Sequence, residues 1–200
     1  MNYLAHLYLA GPEPDAQIGA LLGDFTKIID VSSIGPLASR EILVHRAIDA
    51  FTDSHHLVLG AKAKFRAETR RFAGLHLDIL YDHLLAKSWG NYSNEGLREF
   101  IDQFYVTLMT TRIPLPERLA NLAPSLVAED WLGSYHDFKG VELAVNRVST
   151  RLSKGQETIL AGIEDLRANI TEFSQGFESF FPELVSFVRT ERSRVSRVEA

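Results

Sequence analysis

The sequence predicts an all-α fold, a helical bundle formed as a single domain over residues 1–200. Three observations carry that prediction. No stretch sustains the period-2 alternation of a half-buried strand, and apolar residues recur at helical spacing in one segment after another. Neither an internal repeat nor a low-complexity linker divides the chain.

Taken in order, MNYLAHLYLA at 1–10 is mostly apolar with a single His6, and Gly11-Pro12 ends it. Pro14 and Asp15 make a helix start, and the run that follows is apolar through Ile18, Leu21, Leu22, Phe25 and Ile29, interrupted by Asp24. Residues 30–35 read as a loop. Pro36 opens a third helix in which Val44, Ala47, Ile48 and Phe51 form an apolar stripe, while His45, Asp49, Thr52 and Asp53 share an adjoining sector of about 100°. His55-His56 reads as a surface pair, because adjacent helical residues do not converge. Val58–Phe72 carries Lys62, Lys64, Arg66, Arg70 and Arg71, a basic cluster whose plain reading is a solvated helical face. Leu75–Trp89 is apolar on nearly every side and predicts a buried helix.

Beyond it, Asn94–Thr111 is amphipathic through Leu97, Phe100, Ile101, Phe104 and Leu108. The Ile-Pro-Leu-Pro break at 113–116 ends that helix, and Pro116 starts another short one. Trp131, Leu132, Tyr135 and Phe138 predict an aromatic packing corner in which His136 is structural. Val141–Leu152 and Gln156–Phe181 read as helices, with Pro182 opening a last one that ends in a solvated, Arg-rich tail, RTERSRVSRVEA. Residues 1–90 hold most of the ionisable groups set among apolar ones; 94–200 read as packing and partner surface.

Composition narrows the chemistry. At 46% hydrophobic residues the chain can bury a sizeable core. It has no run of about 18 apolar residues and no basic segment leading a signal-type apolar core, which points to a soluble cytoplasmic protein without a membrane partner. With no cysteine, disulfides, thiol nucleophiles and Cys-based zinc sites are excluded, so any metal must be held by His and carboxylate. A net charge of −5 argues against generic nucleic-acid binding. No GxSxG elbow, phosphate-cradling glycine-rich loop or GxGxxG after a strand is present.

The buried helix raises the sharpest question. Asp78 and Asp82 project within about 40° of each other, and two carboxylates in an apolar setting repel one another and lose hydration. A bound cation, an Arg or Lys partner, or a shared proton must compensate them. His6, Asp24, His45, Asp49, Asp78, Asp82 and His83 lie on four consecutive predicted helices, each on or beside an apolar face. Mixed His and carboxylate ligands suit Mn²⁺, Mg²⁺ or Fe²⁺, and facing helices of a bundle are a usual place for such a site. The reaction class expected with a metal is hydrolysis. The competing reading is a non-enzymatic helical binding protein, its buried Asp and His residues paired with Arg46, Arg70 or Arg71.

Four spaced motifs then occur in one order: MNYLAHLYLA, LLGDF at 21–25, HRAIDAFTD at 45–53, and RRFAGLHLDILYDHLLAKSW at 70–89. Together they resemble the acyl carrier protein phosphodiesterases. The resemblance implies an enzyme that hydrolyses the phosphodiester joining 4′-phosphopantetheine to a serine of holo-acyl carrier protein. It also implies an HD-like fold, similar to the HD superfamily of all-helical metal-dependent phosphohydrolases, with Mn²⁺ as the usual ion. Carried onto this chain, it marks Asp24, His45, Asp49, Asp78 and Asp82 as metal ligands, with His6 as a further member. It marks Arg46 for the diester phosphate, and Asp53 and His83 for proton transfer or orientation. The chain departs from the superfamily in having no adjacent His-Asp doublet. Its nearest equivalent is the reversed Asp82-His83, whose side chains diverge by about 100° on the helix. Because acyl carrier proteins are strongly acidic, the resemblance also makes Lys62, Lys64, Arg66, Arg70 and Arg71 the candidate docking patch for a protein substrate, with the Arg-rich tail second. A small phosphoester or nucleotide is the alternative substrate.

Overall fold

The computed structural model describes residues 1–28 and 33–198, which form eleven α-helices and no strand among the described residues. Ile29 and residues 30–32 of the expected loop lie outside the described residues. α1 (Tyr3–Ala10) is embedded almost all round, with Leu4, Ala5 and Leu7 fully buried, and it stops at Gly11. Gly11 has φ of 89°, a left-handed conformation in which a Cβ would be strained. α2 (Pro14–Leu22) and α3 (Pro36–Ser54) each begin on a proline, whose missing N–H costs nothing in a first turn. These two helices press together: a Cβ on Gly19 would lie 2.4 Å from the Ala38 carbonyl oxygen. A 3₁₀ turn, Gly23–Ile28, follows α2 directly.

α4 (His56–Ala63) is short and is capped by His55. His55 is buried rather than a surface residue: its Nδ1 accepts the Leu57 N–H and its Nε2 lies 3.2 Å from Glu183. α5 (Ala73–Lys87) is the predicted buried helix, with Leu77, Leu80 and Leu85 fully enclosed, and it packs against α1, α4, α9, α10 and α11. α6 (Leu97–Thr110), α7 (Glu117–Ala128), α8 (Trp131–Ser134), α9 (Phe138–Ser149) and α10 (Gln156–Ala168) complete the surround. One continuous cluster of buried apolar side chains draws members from all eleven helices. No helix among the described residues is long and apolar enough to cross a membrane.

The C-terminal third departs from expectation. The helix starting at Gln156 ends at Asn169, whose side chain donates to the Asp165 carbonyl, and α11 (Ile170–Val198) runs through Pro182 without a break. An interior proline costs about 3 kcal/mol. Phe173, Phe177, Phe180, Phe181, Leu184 and Val188 keep one buried stripe on both sides of it, and each large side chain buried is worth about 1.5–3 kcal/mol. Continuity wins. Nor is the start of the Arg-rich tail simply solvated: Val195 is buried, and Arg192 pairs with Glu41 at 2.8 Å while donating to the Leu9 carbonyl. Residues 199–200 lie outside the described residues.

Candidate metal centre

α3 places His45 and Asp49 one turn apart, and α1 brings His6 against them. The His6 and His45 rings stack with centroids 3.7 Å apart. Room for the His45 ring depends on Gly23, where a Cβ would fall 2.2 Å from His45 Cγ. His45 Nδ1–H donates to the Ala20 carbonyl at 2.8 Å, which turns Nε2 toward Asp49 at 3.3 Å and Asp24 at 3.6 Å. The other Asp49 oxygen lies 3.2 Å from His6 Nε2. One ligand atom from each of His6, His45 and Asp49 lies within 4.8 Å of the others.

The electrostatics divide the two imidazoles. Burial opposes charge on His45, but Asp24 and Asp49 outweigh it and raise the ring to about 9. Burial, reinforced by the charged His45, lowers His6 to about 4, so His6 is neutral near pH 7. Burial works against the Asp49 carboxylate, yet His45, the nearby His6 ring and the Met1 ammonium hold it well below its ordinary range. His6 is the informative member: both its ring nitrogens are buried and neither makes a hydrogen bond. A neutral imidazole with no hydrogen-bond partner, facing a carboxylate and a second imidazole, is a donor set suited to a borderline divalent cation.

A cleft of about 400 Å³ opens beside this cluster. Asp24, Asp53 and Asp78 are among its lining residues, Tyr3, Trp131 and Tyr135 supply aromatic surface, and Arg147 and Arg151 stand on α9 and the turn after it. The Met1 amino group lies 3.0 Å from Asp78 and 3.4 Å from Asp49. Burial lowers that ammonium, but the two carboxylates prevail and its pKa is raised.

A family model of the acyl carrier protein phosphodiesterases matches residues 1–184. The chain belongs to the acyl carrier protein phosphodiesterase family. Relatives named acyl carrier protein phosphodiesterase include one from Shigella boydii serotype 4, 34% identical over 187 residues, which cover 93% of this chain and 96% of the relative. Another, from Escherichia coli O157:H7, is 33% identical over the same shares of the two chains. No solved structure matches.

The residues that the phosphodiesterase resemblance singles out do not all meet. His6, His45, Asp49 and Asp24 converge, with Asp78 nearby across the Met1 amino group. Asp82 is fully buried and engaged elsewhere. Its oxygens accept the Leu4 and Ala5 N–H groups at 2.8 and 3.1 Å, capping the start of α1. Burial raises it to about 7. His83 donates Nδ1–H to the Tyr135 carbonyl at 2.7 Å and meets the Phe138 ring edge-on, apart from the cluster. Arg46 is exposed on α3 and is not among the cleft residues. Asp53 lines the cleft and takes Lys62 at 2.7 Å.

The basic strip is largely spent on internal contacts. Besides Lys62, Lys64 pairs with Glu172, Arg66 with Asp165 at 2.7 Å, and Arg70 donates to the Ala63 and Phe65 carbonyls. Arg71 rests over the Phe72 ring at 4.7 Å. Sequence reasoning missed Arg147 and Arg151. Their four-residue spacing was visible, but a helical wheel does not say which face meets a cleft.

Proposed function

We propose that this chain hydrolyses the phosphodiester linking 4′-phosphopantetheine to the serine of holo-acyl carrier protein, with a divalent cation, Mn²⁺ foremost, held by His6, His45 and Asp49. The observation that carries the reading is His6, a buried neutral imidazole without a hydrogen-bond partner that faces Asp49 at the edge of a cleft. A bound divalent ion would supply Lewis-acid stabilisation of a phosphoryl oxygen and an acidified water. The protein's own groups do the rest. The Ala20 carbonyl holds His45 Nδ1–H, so Nε2 is the nitrogen that would give up its proton and serve as the ligand when a cation binds. Asp24 and Asp78 flank the three ligands. Asp53 and Asp78 face the cleft, where a carboxylate can take up a proton from water or return one to the leaving serine oxygen. Burial holds the Tyr3 hydroxyl at about 12, so it remains a hydrogen-bond donor at neutral pH.

The carrier protein would approach over the cleft mouth. Of the predicted basic strip, Arg71 is exposed and has no carboxylate partner among the described residues, so it is the member we carry forward as a contact for an acidic partner. The deciding experiment is a mass assay of holo-acyl carrier protein incubated with the purified protein. Loss of the phosphopantetheine mass with Mn²⁺, and none with EDTA, is the expected result. An unchanged mass with folded, Mn²⁺-loaded protein overturns the reading.

A further inference from the structure

The cleft that Asp24, Asp53 and Asp78 line also carries two cations. Arg147 lies in the last turn of α9, and Arg151 lies in the turn that continues it, its N–H bonded to the Val148 carbonyl at 3.0 Å. Four residues apart on such a turn, the two side chains project to the same side, and both line the cleft. Their fields reach the cleft's aromatic residues. Burial and Asp24 push the Tyr3 hydroxyl up while Arg151 pulls it down, and Arg147 likewise opposes burial at Tyr135.

Arg147 is preorganised. Its guanidinium stacks 4.3 Å from the Trp131 ring centroid and donates to Glu129 Oε2 at 3.0 Å, the same oxygen that accepts the Trp131 indole N–H at 3.1 Å. A guanidinium held on two sides has lost its rotamer freedom before a ligand arrives, so less ordering is required on binding. Arg151 is exposed and has no carboxylate partner among the described residues. One arginine is therefore fixed and the other is free to close on an anion.

We propose that Arg147 and Arg151 form the phosphate-binding wall of the cleft, taking the non-bridging oxygens of a phosphate ester whose organic arm lies against Trp131 and Tyr135. The identity of that ester, though not the anion site itself, rests on the hydrolase reading above. The assignment also moves the phosphate contact away from Arg46, which the cleft does not include. A phosphate in this cleft would have its negative oxygens met by guanidinium, within a lining that also holds Asp24 and Asp78 of the neighbouring cluster. Arginine suits that position because its planar fork matches two oxygens at once.

The test is calorimetric titration of inorganic phosphate, with and without Mn²⁺, into the wild-type protein and the Arg151→Ala, Arg151→Lys, Arg147→Gln and Lys139→Ala variants. Turnover of holo-acyl carrier protein is measured in parallel. Arg151 makes no ion pair that folding would miss, and Lys139 is an exposed residue of α9 outside the cleft. Arg151→Ala is expected to weaken phosphate binding about tenfold or more, the range for a charged hydrogen bond. Arg151→Lys should recover part of the loss, and Lys139→Ala should bind as wild type does. Absence of phosphate binding in the wild type overturns the proposal, as does unchanged binding in both Arg151→Ala and Arg147→Gln. Arginine-dependent phosphate binding without release of phosphopantetheine would keep the anion site and remove the hydrolase reading. Normal release with phosphate affinity indifferent to both arginines would do the reverse.

Discussion

Asp82 is wholly enclosed, and the two N–H groups it accepts from α1 are its compensation. Asp82→Ala would leave both amides without an acceptor and open a cavity, at a cost of about 2–5 kcal/mol read by urea unfolding. The same carboxyl carries a pH signature. Its folded pKa, about 7, lies above its ordinary value of 3.8, so between those values the native state holds a proton that the unfolded state has lost. Stability from this group therefore falls as pH rises through that window. His6, lowered to about 4, acts in the opposite sense over much of the same range. The clean readout is thus the difference in unfolding free energy between wild type and Asp82→Asn in metal-free protein, where His6 is common to both. That difference should shrink as pH goes from about 4 to about 7; a flat or rising difference would contradict the assignment. Asp49 should behave otherwise. If His6, His45 and Asp49 hold the ion, Mn²⁺ will raise the melting temperature by mass action. Asp49→Asn should abolish that shift, while Asp82→Asn keeps it.

Among the elements, the pairing of α2 with α3 decides whether the site can assemble. Gly19 lets the two backbones touch, and Gly23, at the start of the 3₁₀ turn, leaves space for the His45 ring and aims Asp24 toward it. Because the obstacle at Gly19 is backbone rather than a flexible side chain, Gly19→Ala must separate the helices. Overpacking of this kind costs about 1–3 kcal/mol, and here it should also lower the Mn²⁺-induced rise in melting temperature. A variant as stable as wild type, with the same response to Mn²⁺, would show that the approach is not needed. The helix contacts were only partly legible. Periodicity located α5 and the apolar stripe of α3, since each is a local pattern. The continuity of α11 through Pro182 was not legible, because the competition between a lost hydrogen bond and the burial of Phe180, Phe181 and Leu184 is settled by what packs against them.

Across the whole molecule, the N-terminal segment that holds the ionisable groups and the C-terminal segment that surrounds it are joined by polar ties as well as by the core. Arg66 and Thr69 both bind Asp165, His76 Nε2 meets the Ile159 carbonyl at 2.8 Å, and Arg192 reaches Glu41. We expect this shared core to unfold as one unit. Calorimetry of the metal-free protein should show a single transition whose van't Hoff and calorimetric enthalpies agree. Two resolved transitions would instead divide the chain. The same ties bear on the basic strip: Arg66 holds helices together, so we expect reversing its charge to lower stability.

The sequence by itself determined that the chain is helical, that a nearly all-apolar helix runs through its centre, and that His45 and Asp49 share one side of α3. All three follow from spacing within a single element, where the 3.6-residue period sets direction. The tertiary structure alone decided what stands opposite each group. Asp82 finds its amides 78 and 77 residues away, Arg192 finds Glu41 across 151, and Arg147 and Arg151 meet the cleft because α9 packs against α5. A helical wheel gives the direction of a side chain, but the identity of its neighbour is a property of packing. For that reason spacing could not show that Asp82 accepts the Leu4 and Ala5 N–H groups.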